Sequence, residues 1–228
     1  MKVATYNVNG VNGRLPRLLE WLDEAKPDIV CLQEIKTTDE KCPARALAEA
    51  GYGSTWHGPR SHHGVAILAK GERPVESRRG LPGGNPQPGP KFDYKLAWFE
   101  RLNAHAKSLM GSGKPVVLAG DLKVVPTKAD IYNEWLWRED AVVQPETRAA
   151  FSRLLEHGWI DATRHRHPSE HIYTFWVNDA AFRRNAGFRM DFLLLTPNLL
   201  PRLSATGVDR DHRGREKPSD HAPVWAEL

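Results

Sequence analysis

The sequence predicts an α/β fold in which two β-sheets pack face to face with helices outside them. Three observations predict it. Short apolar runs of strand length recur through the 228 residues, segments with apolar residues at helical spacing lie between them, and four polar side chains stand at or near the ends of the runs. Those four are Asn7 after Val3-Ala4-Thr5-Tyr6, Glu34 after Ile29-Val30-Cys31-Leu32, Asp121 after Val116-Val117-Leu118-Ala119-Gly120, and Asp191 just before Phe192-Leu193-Leu194-Leu195. Strand ends with polar tips are where such folds build sites, so each half is expected to deliver its tips to one shared edge.

The elements follow in order. Residues 2–8 alternate as a strand and stop at the turn pair Asn9-Gly10; Leu15, Leu18, Leu19 and Leu22 then recur at helical spacing before Pro27. Asp28 to Leu32, apolar from Ile29 onward, is a run of the buried-strand kind, followed by polar Gln33-Glu34. A helix is expected from Ala44 to Ala50, a strand from Tyr52 to Trp56 and a buried strand from Gly64 to Ala69. Gly and Pro crowd residues 80–90, which marks a loop, and a helix should run from Phe92 to Met110. The second half repeats the theme, with a strand at 115–120, an irregular stretch rich in Trp and charge, and a helix from Glu146 to Glu156. Strands at Ile172–Val177, 189–195 and 222–227 complete it. No fixed-period repeat and no interdomain linker breaks the pattern, so residues 1–228 read as one domain.

Composition narrows the function. With 40% apolar residues the chain can bury a sizeable core, and 32 Lys and Arg against 28 Asp and Glu, with a pI near 9.1, point to an anionic, phosphate-rich partner. Two cysteines, Cys31 in an apolar strand and Cys42 in a polar turn, make no disulfide framework or cysteine metal site and fit a reducing cytoplasm. No apolar run approaches the roughly 18 residues that span a bilayer, so no membrane partner is expected.

The chemistry gathers at Pro218-Ser219-Asp220-His221-Ala222-Pro223-Val224-Trp225, where a carboxylate stands beside an imidazole between two prolines. A Glu or Asp after a strand is most often a solvated turn residue or a helix cap, and Asn7 alone reads as an Asx turn; the set weighs more than its members. Phosphodiester hydrolysis requires neutralised phosphate charge, an activated water and a stabilised leaving oxygen, which Mg²⁺ or Mn²⁺ on carboxylates plus a charged base can supply. In that scheme Glu34 holds the metal, with Asn7, Asp121 and Asp220 completing its shell. Asp121 orients or deprotonates the water, and His221, oriented by Asp191, acts on the phosphate oxygen.

These residues carry a resemblance. Thr5-Tyr6-Asn7-Val8-Asn9-Gly10, Leu32-Gln33-Glu34-Ile35-Lys36, Gly64-Val65-Ala66-Ile67-Leu68, Leu118-Ala119-Gly120-Asp121, Arg189-Met190-Asp191 and the closing octet stand in the order seen in the bacterial exonuclease III family of Mg²⁺-dependent apurinic/apyrimidinic (AP) endonucleases. The resemblance runs end to end. It implies the four-layer α/β sandwich of the endonuclease/exonuclease/phosphatase superfamily, cleavage 5′ of abasic sites and 3′-to-5′ removal of nucleotides from duplex DNA. The partner it implies is duplex DNA with abasic sites, nicks or 3′ ends. Trp176 falls where the family places aromatic residues that press into DNA, against the plain reading that most of eight tryptophans pack in the core. Lys36, Arg183 and Arg184 are expected to contact phosphates, the alternative being a solvated basic face.

Two departures qualify the resemblance. Where the family writes Gly-Asp-x-Asn, this chain has Gly120-Asp121-Leu122-Lys123; an ammonium has no acceptor for a water proton and repels a nearby Mg²⁺, so activity should fall severely unless the side chain turns away. The second is a gap: Arg79-Gly80-Leu81-Pro82-Gly83-Gly84 runs straight into Asn85-Pro86-Gln87-Pro88-Gly89-Pro90-Lys91, without the β-hairpin that carries the family's catalytic tyrosine. Tyr94 matches a helical position and is a poor substitute. The first sheet is expected to lack that hairpin, which leaves open edges and turns an expected monomer toward association. A DNA-binding homologue without turnover, or a phosphatase on the same scaffold, are the competing readings.

Overall fold

The computed structural model describes residues 1–58, 63–75 and 89–228. The Gly/Pro loop up to residue 88, and with it the Gly84–Asn85 junction, lies outside the described residues. Among the described residues nine strands form two sheets. In the first sheet, β1 (Lys2–Asn7) runs parallel to β2 (Ile29–Gln33), while β3 (Tyr52–His57), β4 (Val65–Lys70), β8 (Ala205–Val208) and β9 (Val224–Glu227) pair antiparallel, giving the order β3-β4-β2-β1-β9-β8. The second sheet has β5 (Val117–Asp121), β6 (Ile160–Asp161) and β7 (Asp191–Leu195) in the order β5-β7-β6. The two chain ends thus meet in one sheet, with Lys2 opposite Glu227.

Helices cover both outer faces. The period-two alternation of side chains along β1, β2 and β4 sends Ala4, Tyr6, Val30, Leu32, Ala66 and Leu68 outward onto α1 (Val11–Ala25) and α2 (Ala44–Glu49), which bury Leu18, Trp21, Leu22 and Leu47 against them. On the second sheet Phe192 and Leu194 pack under α3 (Pro90–Gly111) and α4 (Pro145–Glu156) through Phe99, Leu102, Phe151 and Leu154. Between the sheets Val3, Leu193, Leu195, Val224 and Ala226 make a third core. Helix, sheet, sheet, helix is the expected four-layer order. Three short helices, α5 (Ala162–Arg166), α6 (Asp179–Arg183) and α7 (Arg210–Arg213), turn the chain between strands. No helix among the described residues is long and apolar enough to cross a membrane.

One sequence expectation is corrected. Ile172–Val177 alternates like a strand but makes only isolated bridges, Phe175 facing Phe188 and His221, because its backbone bonds are shared among loop partners. The hairpin expected to be missing belongs to the junction outside the described residues; among the described residues the first sheet has six strands and the second three, with β5 at its edge. The wider sheet therefore overhangs the narrower one, and β4 shows Val65 and Ile67 at 46% and 38% exposure on the face that looks toward β5.

Candidate active site

Sheet geometry brings the polar tips together. Asp121 and Asp191 are register partners across the antiparallel β5–β7 pair, and Asn7 ends the neighbouring β1, with Glu34 just past the end of β2. Asn7 links the two sheets: its Nδ2 donates to Glu34 Oε1 at 3.0 Å and to Asp121 Oδ2 at 2.9 Å. Its Oδ1 accepts from the Asn9 backbone N–H at 3.0 Å. Asn7 is thus a clamp between carboxylates, with its amide oxygen turned away from them, where the sequence had suggested an oxygen beside the metal.

His221 is buried on the second side of Asp121. Its Nδ1 donates to Asp191 Oδ2 at 2.9 Å, its Nε2 lies 3.6 Å from Asp121 Oδ2, and the Thr174 hydroxyl donates to Asp191 Oδ2 at 2.6 Å. Burial works against an imidazolium, but the Asp191 and Asp121 charges outweigh it and hold the His221 pKa above its ordinary value. Burial likewise opposes the charge of Asp121, yet Lys123 and His221 keep its pKa below the usual range. Asp191 fixes which imidazole nitrogen carries the bridging proton and stabilises the charged ring.

Lys123 points inward. Its Nζ lies 2.7 Å from Asp121 Oδ2 and 3.1 Å from Glu34 Oε1, with the side chain only 15% exposed. Burial disfavours that ammonium, but the charges of Asp121 and Glu34 prevail and raise its pKa. Burial also opposes the Glu34 charge, and Lys123, Asn7 and Lys36 together bring its pKa down to about 2. Lys36 Nζ takes the other Glu34 oxygen at 3.0 Å and also bonds Asn9 Oδ1. Asp220 joins through that same residue, since Asn9 Nδ2 donates to Asp220 Oδ1 at 2.9 Å. Asn9, Glu34, Lys36 and Lys123 all hold left-handed backbone, with φ of 46°, 49°, 47° and 51°, a conformation that non-glycine residues keep where surrounding bonds enforce it.

The remaining expected residues divide. Arg183 and Arg184 are exposed at the end of α6. Trp176 is corrected: the ring is 1% exposed, edge-on to Phe182 and bonded through Nε1 to Asn185 Oδ1, so it props this segment from beneath and has no surface to offer a base stack. Tyr94 is half exposed on α3, the helical position expected of it. Three residues escaped sequence reasoning. Asn9 bridges Lys36 to Asp220, Thr174 holds Asp191, and Lys95 bonds the Lys123 carbonyl. Asn9 had a signal in lying within the Thr5–Gly10 motif that carries the resemblance, and Thr174 lies two residues before Trp176; Lys95 had none.

The donor chemistry suits a hard divalent cation, for Glu34, Asp121 and Asp220 offer carboxylate oxygens. Asp121, Asp191 and His221 also bring one ligand atom each within 4.8 Å of one another, a group that could hold a metal ion. A two-sheet sandwich whose shared edge carries a buried carboxylate, an imidazole and a second carboxylate beside further acidic tips defines a hydrolase. Comparison with known proteins makes the class specific. The profile of the endonuclease/exonuclease/phosphatase family matches residues 4–221, and the chain belongs to that family, within its exonuclease III and AP endonuclease group. Exodeoxyribonuclease III of Haemophilus influenzae is 30% identical over 267 aligned positions that take in the whole of both chains. With 228 residues here, that alignment contains positions this chain does not fill. An AP endonuclease from Archaeoglobus fulgidus superposes with a TM-score of 0.93 at 31% identity, covering 100% of this chain and 99% of that one. The 3′ phosphatase NExo from Neisseria, bound to product DNA hairpin, gives 0.93 at 33% identity with the same coverage.

Proposed function

We propose that this protein hydrolyses phosphodiester bonds in duplex DNA during base excision repair, as an AP endonuclease and 3′-to-5′ exodeoxyribonuclease that uses Mg²⁺ or Mn²⁺. The observation that carries the reading is the buried row Asp191–His221–Asp121 beside Glu34. The His221 imidazolium donates a hydrogen bond to a non-bridging phosphate oxygen and neutralises charge as the bond breaks. Asp191, locked by Thr174, keeps the ring in the required tautomer. Asp121 orients the attacking water and takes its proton. A divalent cation held by Glu34 and Asp220, with Asn7 steadying the Glu34 carboxylate, would supply charge at the phosphate and the leaving oxygen. Lys36 at the rim and Arg183 and Arg184 at the end of α6 suit contacts to the DNA backbone, which makes binding fall with salt.

Metal-dependent cleavage of an abasic duplex tests the reading, with Glu34→Ala and His221→Ala as controls. His221→Ala should cleave about 100-fold or more slowly than the wild type, the scale of a lost acid–base group, and Glu34→Ala should also lose cleavage because the cation loses its carboxylate. Wild-type cleavage no faster than the variants would overturn the enzymatic reading. A DNA-binding relative without turnover is the second reading, favoured by the Lys123 ammonium between Asp121 and Glu34. It expects salt-sensitive duplex binding with no cleavage.

A further inference from the structure

Lys123 is held from both ends. Its backbone N–H donates to Asp121 Oδ1 at 3.0 Å, its carbonyl accepts from the Lys95 ammonium, and its left-handed backbone sits between those bonds. Its own ammonium, so aimed, stands within 3.1 Å of one oxygen from each of two carboxylates. Asn7 donates to those same two oxygens, so Glu34 Oε1 and Asp121 Oδ2 are both fully engaged by this chain's own donors. A divalent cation of the Mg²⁺ kind needs carboxylate oxygens at about 2.0–2.1 Å, shorter than any ammonium contact, and it repels a second cation at such range. The two cannot use these oxygens together.

We propose that Lys123 is a tethered cation: its ammonium fills the Glu34–Asp121 carboxylate pair, neutralises it without a metal, and excludes a divalent cation from those oxygens until the side chain withdraws. The proposal rests on the metal reading above and sharpens it. A carboxylate pair without an internal cation would repel itself and be steadied by any ion that entered; here the steadying is already supplied by Lys123. The free protein should therefore be indifferent to divalent cations, and the site's appetite for them should rest on one side chain.

Mn²⁺ binding to the DNA-free protein, followed by electron paramagnetic resonance, measures this directly, with thermal unfolding as a second readout. Lys123→Asn should bind Mn²⁺ roughly tenfold or more tightly than the wild type, since a like charge is removed and both carboxylates are released. The melting temperature of Lys123→Asn and of Lys123→Met should rise with Mn²⁺, and that of the wild type should not, because only an ion that binds the folded state stabilises it. Equal affinities for wild type and Lys123→Asn would overturn the tethered cation and leave the metal reading standing. Absence of binding in every form would overturn both. Tight Mn²⁺ binding by the wild-type chain would by itself overturn the proposal, whatever the variants do.

Discussion

Lys95 shows how one buried charge sets the behaviour of its neighbours. It projects from α3 into the second core and bonds the Lys123 carbonyl, and burial brings its pKa down to about 8, against the pull of Asp121 and Asp140. The sign of its effect on stability follows from linkage. Between about pH 8 and 10.5 the unfolded chain keeps this proton and the folded chain releases it, so the penalty for the buried charge is full below pH 8 and relieved as pH rises. Denaturant unfolding of wild type and Lys95→Met should therefore show the wild type gaining by about 3 kcal/mol across that interval, at roughly 1.4 kcal/mol per pH unit. A difference that stays flat with pH would refute a buried ammonium there. At this scale the sequence was half legible. Asn7, Glu34, Asp121, Asp191 and His221 were visible because each stands at the end of an apolar run, and they do meet. The direction of the Lys123 side chain was not, since nothing in a Gly-Asp-Leu-Lys string fixes a backbone φ of 51° or reveals that Lys95, a turn into a helix, will hold its carbonyl.

Elements deliver the site only if their ends are anchored, and β7 is anchored by ions. Arg189, just before it, sends Nε to Asp130 Oδ1 at 2.6 Å and a terminal nitrogen to Asp161 Oδ2 at 2.7 Å, while Arg164 adds a bond to Asp130 at 2.6 Å. Asp130 also closes the turn at Thr127, so the segment leaving Lys123, the short β6 and the entry to β7 are tied at one buried point. Breaking such a pair leaves an uncompensated buried charge, and Arg189→Met should lose about 3–5 kcal/mol in urea unfolding. Arg189→Lys should not restore it, because an ammonium cannot present the planar fork that reaches both carboxylates. Rescue by lysine would mean that charge alone, without the fork, holds this corner. Long periodic elements were legible throughout, from α1 to α4. Two short strands were not: Ile160–Asp161 and Ala205–Val208 carry no run or alternation long enough to register, and exist because β7 and β9 offer them edges.

At the scale of the whole molecule, the site spans two sheets that pack against each other through the inter-sheet core. Asn7 and Glu34 come from the first sheet and Asp121 and Asp191 from the second, so hydrogen bonds of 2.9–3.0 Å at Asn7 depend on how closely β1 approaches β5 and β7. That approach is set by Val3, Leu193, Leu195, Val224 and Ala226, whereas Leu18 packs only between α1 and the outer face of the first sheet. Leu193 and Leu18 are equally buried, and truncation of either to alanine should cost about 2–5 kcal/mol through lost burial and a cavity. Their effects on the site should differ. Relaxation around Leu193→Ala shifts the sheets against each other and moves Asp121 relative to His221, so the elevated His221 pKa should drop toward its ordinary value. Leu18→Ala should leave it in place. Titration of the His221 imidazole by NMR in both variants, under conditions where each remains folded, measures the difference. Equal shifts in the two would mean that the site is held by its own hydrogen bonds and does not need the core beneath it.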